Sequence, residues 1–346
     1  MNLYIMSVLL FSLSIGTVIT MSGNHWFLAW MGLELNTLAI IPLLSKTHHP
    51  RATEATTKYF LIQSVASALL LFATMLNASY TGEWTIINMQ TPIPTLMLMI
   101  ALMIKLAVAP FHLWLTDIIQ GLNLTACLIV LTWQKLAPMA LLIQTSPEMN
   151  PTLITSLGAL SMLVGGWGGL NQSHLRKIMA FSSIAHLGWM IIVVPYLPSL
   201  TLLNLMMYLL MTSSIFLMMM TLLTTNMNKT TSSWMKNLPL FSMMTIILMS
   251  LGGLPPMSGF IPKWMILEEL IKQNMTSLAV LAIISTLLSL FFYLRLSYMT
   301  SLTTSPSPLN SKLMWRLKLD PNPTTSSIII MSTMLLPISP SMMSLM

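Results

Sequence analysis

Long apolar runs follow one another along nearly the whole chain, separated by short polar connectors. Each run is about twenty residues long, enough for an α-helix to cross a bilayer. The pattern predicts eleven helices, near 3–21, 25–45, 56–78, 95–115, 122–144, 150–170, 177–195, 198–224, 238–272, 275–300 and 325–345. The connectors SKTHHPRATEATTK (45–58) and SPSPLNSKLMWRLKLDPNP (305–323) have ordinary loop chemistry. The ninth run is too long for a simple span and is interrupted at Gly252, Gly253, Pro255 and Pro256. The first run lacks a basic flank and a small-residue cleavage site, so it reads as a retained span rather than a signal peptide. The expected fold is all-α, a single polytopic membrane domain over 1–346 without a separate soluble part.

Charge supports this division. Only 7% of the 346 residues are charged and 55% are hydrophobic, whereas soluble domains carry about 25% charged residues. With the N-terminus inside and the helices threaded alternately, the inner side receives Lys46, Arg51, Lys58, Arg176, Lys177, Lys229, Lys236, Arg295, Lys312, Arg316 and Lys318. The outer side receives Lys272, the asymmetry that the positive-inside rule demands. The net charge of +7 is therefore read as topology rather than nucleic-acid binding, since no polar face clusters it. Cys127 is the single cysteine, which excludes intramolecular disulfides, CxxC pairs and cysteine-rich clusters. The 35 methionines fit either soft packing filler or mitochondrial coding, and composition leaves both open.

Four ionisable residues remain inside the apolar runs: Glu34, Lys105, Lys135 and Lys263. Each costs about 2.5–3.5 kcal/mol at mid-membrane on insertion scales, a heavy burden for a purely structural bundle. Lys105 lies five residues before Pro110, whose missing N–H frees a backbone carbonyl about one turn earlier. Lys263 follows closely on the glycine–proline break, and freed carbonyls are natural partners for a buried ammonium. The two breaks fall in the fourth helix of helices 1–5 and of helices 6–10. Because five is odd, the second set enters from the opposite face, as in an inverted repeat. The expected repeats are 1–146 and 147–300, followed by a loop and C-terminal helix over 301–346. Glu34 then corresponds to His186, while Lys135 has no obvious counterpart.

The stretches GLELNTLAIIPLL (32–44), RATEATTKYFLIQS (51–64), KLAVAPFHLWL (105–115), LTWQKLAP (131–138), LRKIMAFSSIAHLGWM (175–190) and GGLPPMSGFIPKW (252–264) carry a resemblance through most of the chain. They resemble the antiporter-like membrane subunits of respiratory complex I, relatives of multi-subunit cation/proton antiporters. APFHxW together with PPxxGFxxK is a specific combination. The resemblance implies a half-channel at each broken helix joined by a row of lysines, with proton translocation carried by Glu34, Lys105, Lys135 and Lys263. His186 matches the histidine of the SSIAHLG segment, a relay position, and His112 is a second relay candidate. Lys263 stands where the branch called subunit 4 usually has glutamate, which argues against that branch. Two departures stand out. Three N-terminal helices of full-length bacterial relatives are absent, and Thr116 replaces the proline that usually precedes the acid at Asp117.

The resemblance also implies a place in the mitochondrial inner membrane, with the N-terminus in the matrix and the C-terminus on the intermembrane side. No cofactor is expected on this chain; NADH, flavin, iron–sulfur clusters and ubiquinone belong to partner subunits. Expected partners are antiporter-like subunit 4, the small subunit 4L, accessory subunits and lipids. A subunit of a multi-subunit antiporter and a non-conducting scaffold of the membrane arm stay open as alternatives. The bland readings stay open as well: snorkelling or interface anchoring for the lysines, a counter-charge for Glu34, and structural hydrogen bonding for His186 and His112. GGWGG (165–169) fits close helix packing rather than phosphate binding. His48 and His49 lack companion ligands for a metal. Glu268 and Glu269 are expected to be solvated near the outer surface.

Overall fold

The computed structural model describes residues 3–46, 48–89, 91–233, 237–302 and 323–345. Lys236 and the connector 305–323 with Lys312, Arg316 and Lys318 lie outside the described residues, apart from the last connector position. Helices dominate, and no strand occurs among the described residues. In chain order they are α1 (Leu3–Ser22), α2 (Trp26–Leu44), α3 (Pro50–Thr81), α4 (Pro92–Leu106), α5 (Leu113–Gly121), α6 (Leu124–Leu131), α7 (Trp133–Thr145) and α8 (Pro151–Gly168). There follow α9 (Leu175–Val193), α10 (Pro198–Leu222), α11 (Met227–Ser233), α12 (Leu238–Gly252), α13 (Phe260–Lys272), α14 (Thr276–Leu302) and α15 (Pro323–Leu345). Among the described residues, seven helical stretches are long and apolar enough to cross a membrane, and two shorter apolar helices fall within α4 and α12. The chain divides into two compact units, Met1–Ser161 and Met162–Met346.

In the first unit, α3 shows how the bundle is built. Its buried stripe runs through Ala52, Ala55, Tyr59, Gln63, Ala66, Ser67, Leu70, Ala73, Thr74 and Asn77, a 3.6-residue period. Its exposed face carries Phe60, Leu61, Val65, Phe72 and Met75. Large apolar side chains thus point outward and small or polar ones inward, the arrangement for helices packed in lipid. Close approach is most marked between α1 and α2, where a Cβ on Gly32 would lie 2.7 Å from the Gly16 carbonyl oxygen.

Two of the expected runs are interrupted here, 95–115 near its expected break and 122–144 where none was expected. The run 95–115 stops at Leu106, with Ala107 in the left-handed region (φ 61°), and resumes as α5. Pro110 cannot donate to the helix ladder and biases its predecessor away from helical backbone. The run 122–144 breaks at Thr132 (φ −111°, ψ −70°) between α6 and α7. The Thr132 hydroxyl donates to the Leu128 carbonyl at 2.7 Å, and Pro138 removes a further donor one turn on. Thr116 likewise donates to the Leu113 carbonyl at 2.9 Å and lies inside continuous α5.

In the second unit the GGWGG run of α8 is a packing surface. A Cβ on Gly165 would lie 2.6 Å from the Ala185 nitrogen of α9, and one on Gly169 2.8 Å from the Phe292 ring of α14. The long run 238–272 breaks as the sequence indicates. Gly253 ends α12 with φ 82°, and α13 begins at Phe260. Gly259 lies against the Ser250 carbonyl, leaving no room for a side chain.

Candidate functional site

In the first unit a small cavity of about 20 Å³ is lined by Lys105, Lys135, Asn36, Tyr59, Gln63 and Gln134. That volume holds about one water molecule. Lys105 sits in the last turn of α4 and Lys135 in the first turn of α7, each next to an interrupted helix. Tyr59 and Gln63 lie one turn apart on the buried stripe of α3. Lys105, Lys135 and Tyr59 are all at least nine-tenths buried.

The Lys105 Nζ and the Asn36 Oδ1 are buried without a hydrogen-bond partner among the described residues. The sequence suggested a freed carbonyl for Lys105, yet its Nζ reaches none among the described residues; nearby, the Ile104 carbonyl accepts from the Trp114 indole N–H at 3.2 Å. Trp114 also packs edge-on against Tyr59, ring centroids 6.0 Å apart. Glu34 lies in α2 with Oε2 buried and without a hydrogen-bond partner among the described residues. It is within electrostatic reach of Lys105 and Tyr59, but makes no direct ion pair with Lys105 among the described residues. A pair of unit charges about 4–8 Å apart attracts by about 2–4 kcal/mol at an effective dielectric near 20. His112 caps α5, half-buried, its Nδ1 3.2 Å from the Pro110 carbonyl oxygen. It is not part of the cavity lining.

In the second unit Lys263 stands in the first turn of α13 and reaches back across the break. Its Nζ donates to the carbonyls of Leu251 at 3.2 Å and Gly252 at 2.9 Å. These are the oxygens that the end of α12 leaves without intrahelical donors. The open face of Gly253 makes this possible, since a Cβ there would lie 2.8 Å from the Lys263 Nζ. His186 is buried in α9 with its ring 5.6 Å from that of Tyr208 on α10.

Sequence reasoning passed over Tyr59, Gln63, Asn36 and Trp114. Their signal was present: polar positions recurring at helical spacing inside apolar runs, and a tryptophan four residues after a break. One expectation fails. Glu268 is exposed and pairs with Lys272 at 2.9 Å, but Glu269 is 8% exposed and accepts from the Gln273 side chain at 3.0 Å. Helical geometry explains this, because neighbouring positions lie 100° apart and only one can face out. His49 caps α3 through its ring, accepting from the Arg51 N–H at 3.2 Å. No three His, Cys, Asp or Glu side chains converge among the described residues.

The membrane-domain family described as "NADH:quinone oxidoreductase/Mrp antiporter" matches residues 23–289, and "NADH dehydrogenase subunit 2 C-terminus" matches 290–343. NADH-ubiquinone oxidoreductase chain 2 of Tetraodon nigroviridis is 54% identical over 346 residues, covering 100% of this chain and 99% of the relative. The corresponding Xenopus laevis chain is 52% identical over 341 residues, covering 98% and 99%. A chain in the respiratory complex I structure of Thermus thermophilus shares the fold with a TM-score of 0.82 at 24% identity, over 97% of this chain and 76% of that one. A chain of the Mrp complex of Dietzia sp. does so at 0.76 and 18% identity, over 88% and 61%. With its motifs, its broken helices and half its residues shared with these relatives, the chain belongs to the NADH-ubiquinone oxidoreductase chain 2 family of antiporter-like membrane subunits.

Proposed function

We propose that the chain is a proton-translocating subunit of respiratory NADH–ubiquinone oxidoreductase in the mitochondrial inner membrane. Glu34, Lys105, Lys135 and Lys263 exchange the protons, with His186 and His112 as relay groups. The observation that carries this reading is the pair of buried lysines set at two broken helices in one family member. Lys263 is held on freed carbonyls, and Lys105 faces a polar cavity within reach of Glu34.

Burial disfavours an ammonium and a nearby carboxylate favours it, so a change in the spacing of Glu34 and Lys105 alters where a proton is most stable. The electron chemistry belongs to partner subunits that hold NADH, flavin, iron–sulfur clusters and ubiquinone. The chain contributes no redox centre and works beside antiporter-like subunit 4, subunit 4L and accessory subunits. Two five-helix repeats, 1–146 and 147–300, each carry a broken fourth helix in an eleven-span topology. The N-terminus lies in the matrix and the C-terminus on the intermembrane side.

Lys263→Met tests the proposal in the assembled complex. Removing a buried charge relieves its desolvation, so assembly should hold. Proton pumping, and quinone reduction through its coupling, should fall roughly a hundredfold or more, the scale on which one proton-transfer group acts. A variant that assembles and pumps at the parental rate and ratio would sink the proposal.

A further inference from the structure

Two neighbouring cavities open on the exposed surface of the first unit. One is a polar notch of about 250 Å³ between the first turns of α3 and the end of α5, lined by Arg51, Glu54, Lys58, Asp117, Gln120 and Gly121. Its width is set by Gly121, where a Cβ would lie 2.7 Å from the Arg51 carbonyl oxygen. The notch carries two positive and two negative side chains, all exposed. Glu54 and Lys58 pair at 2.7 Å, Arg51 is within electrostatic reach of Glu54, and Asp117 of Lys58.

The other is an apolar groove of about 460 Å³ lined by Leu61, Val65, Pro110, Phe111, Leu113 and Trp114. Leu61 and Val65 follow Lys58 by one to two turns on the same helix, about 5–10 Å further into the membrane. On α5, Leu113 precedes Asp117 by one turn, about 6 Å. Notch and groove therefore lie in series on one α3–α5 face, the charged end at the helix terminus and the apolar end at lipid depth. Trp114 forms part of the groove and also lines the Lys105 cavity, its indole fixed on Ile104.

We infer that this face is a binding site for one phospholipid with a primary-amine head group, a phosphatidylethanolamine. Its phosphate accepts from Arg51 and Lys58, its ammonium donates to Asp117 and Glu54, and one acyl chain lies in the groove. The groove cannot select the lipid, because bilayer tails are as apolar as its walls. Selection rests in the notch. A purely anionic head group meets two carboxylates there, and a choline head group has no N–H to donate. A head group carrying both a phosphate and N–H donors satisfies both signs.

The test uses the intact complex in vesicles containing a phosphatidylethanolamine with a photoreactive diazirine in one acyl chain. Cross-links should map to residues 61–65 and to Leu113. Unlabelled phosphatidylethanolamine should compete about threefold better than phosphatidylcholine or phosphatidylglycerol, the scale of an exposed charge pair. Free phosphoethanolamine should not compete. Asp117→Asn should erase the preference for the amine head group, and Val65→Trp should lower labelling by filling the groove. Asp117 is exposed, so its variant decides the question even if Val65→Trp fails to assemble. Absent labelling at 61–65, equal competition by the three lipids, competition by the free head group, or an unchanged preference in Asp117→Asn overturns the inference.

Discussion

Lys105 and Lys263 are the same residue in two environments. Lys263 is tied to two main-chain oxygens, while Lys105 faces a cavity with no fixed partner among the described residues. Lys105 therefore depends more on the charge of Glu34. Glu34→Gln and Lys105→Met should each lower pumping, and the double variant should be little worse than Lys105→Met alone, because groups acting as one unit lose their function together. Pumping rates of the four forms provide the measurement, and strictly additive losses would show that the two act separately. All four central charges were legible in the sequence because an ionised group within an apolar run stands out by its cost. Asn36, Gln63 and Tyr59 were not. An uncharged polar residue in such a run costs less, and its role depends on which face of its helix is inward. The buried Glu269 escaped because only its place on the inward face of α13 separates it from the exposed Glu268.

The helix breaks were partly legible. Gly252–Pro256 announces itself, and α12 and α13 flank it. The first break was expected at Pro110, yet the helix already ends at Leu106, since Ala107 adopts a left-handed conformation that its side chain does not advertise. Thr132 carried no stronger warning, a threonine being common in helices that cross lipid. The difference between the two left-handed residues leads to an expectation. Ala107 already tolerates this backbone, but at Gly253 a methyl group would meet Lys263 as well. Gly253→Ala should destabilise the chain by about 1–3 kcal/mol and lower pumping together with it. Thermal inactivation and pumping of the purified complex measure both, and a variant with parental values would show that Lys263 does not depend on this approach.

At the scale of the molecule, sequence and structure agree on an all-helical membrane protein because hydrophobic run length is a strong signal. The inward and outward faces of the helices were less legible, since lipid-facing and protein-facing sides are both apolar and differ mainly in side-chain size. The side of the membrane on which each connector lies rests on the distribution of Lys and Arg. In a Cys127→Ser background, a single cysteine at exposed Thr53 should react only from the matrix side, and one at exposed Asn274 only from the intermembrane side. Impermeant thiol reagents on sealed vesicles of either orientation decide it, and labelling of both from one side would refute the eleven-span topology.

The two carbonyls on Lys263 have a stereochemical consequence. An ammonium has three N–H bonds, and a neutral amine keeps two of them with a lone pair in place of the third. The Leu251 and Gly252 oxygens can retain their two donors in either state, so the side chain need not swing when it discharges. The bond that breaks is the third, and its direction is set by the two that stay. Lys263→Arg keeps donors for both oxygens but holds its protons at every physiological pH. That variant should assemble like the parent and resist heat equally well, yet pump as poorly as Lys263→Met; recovery of pumping by arginine would mean that Lys263 serves as a fixed charge rather than a proton donor.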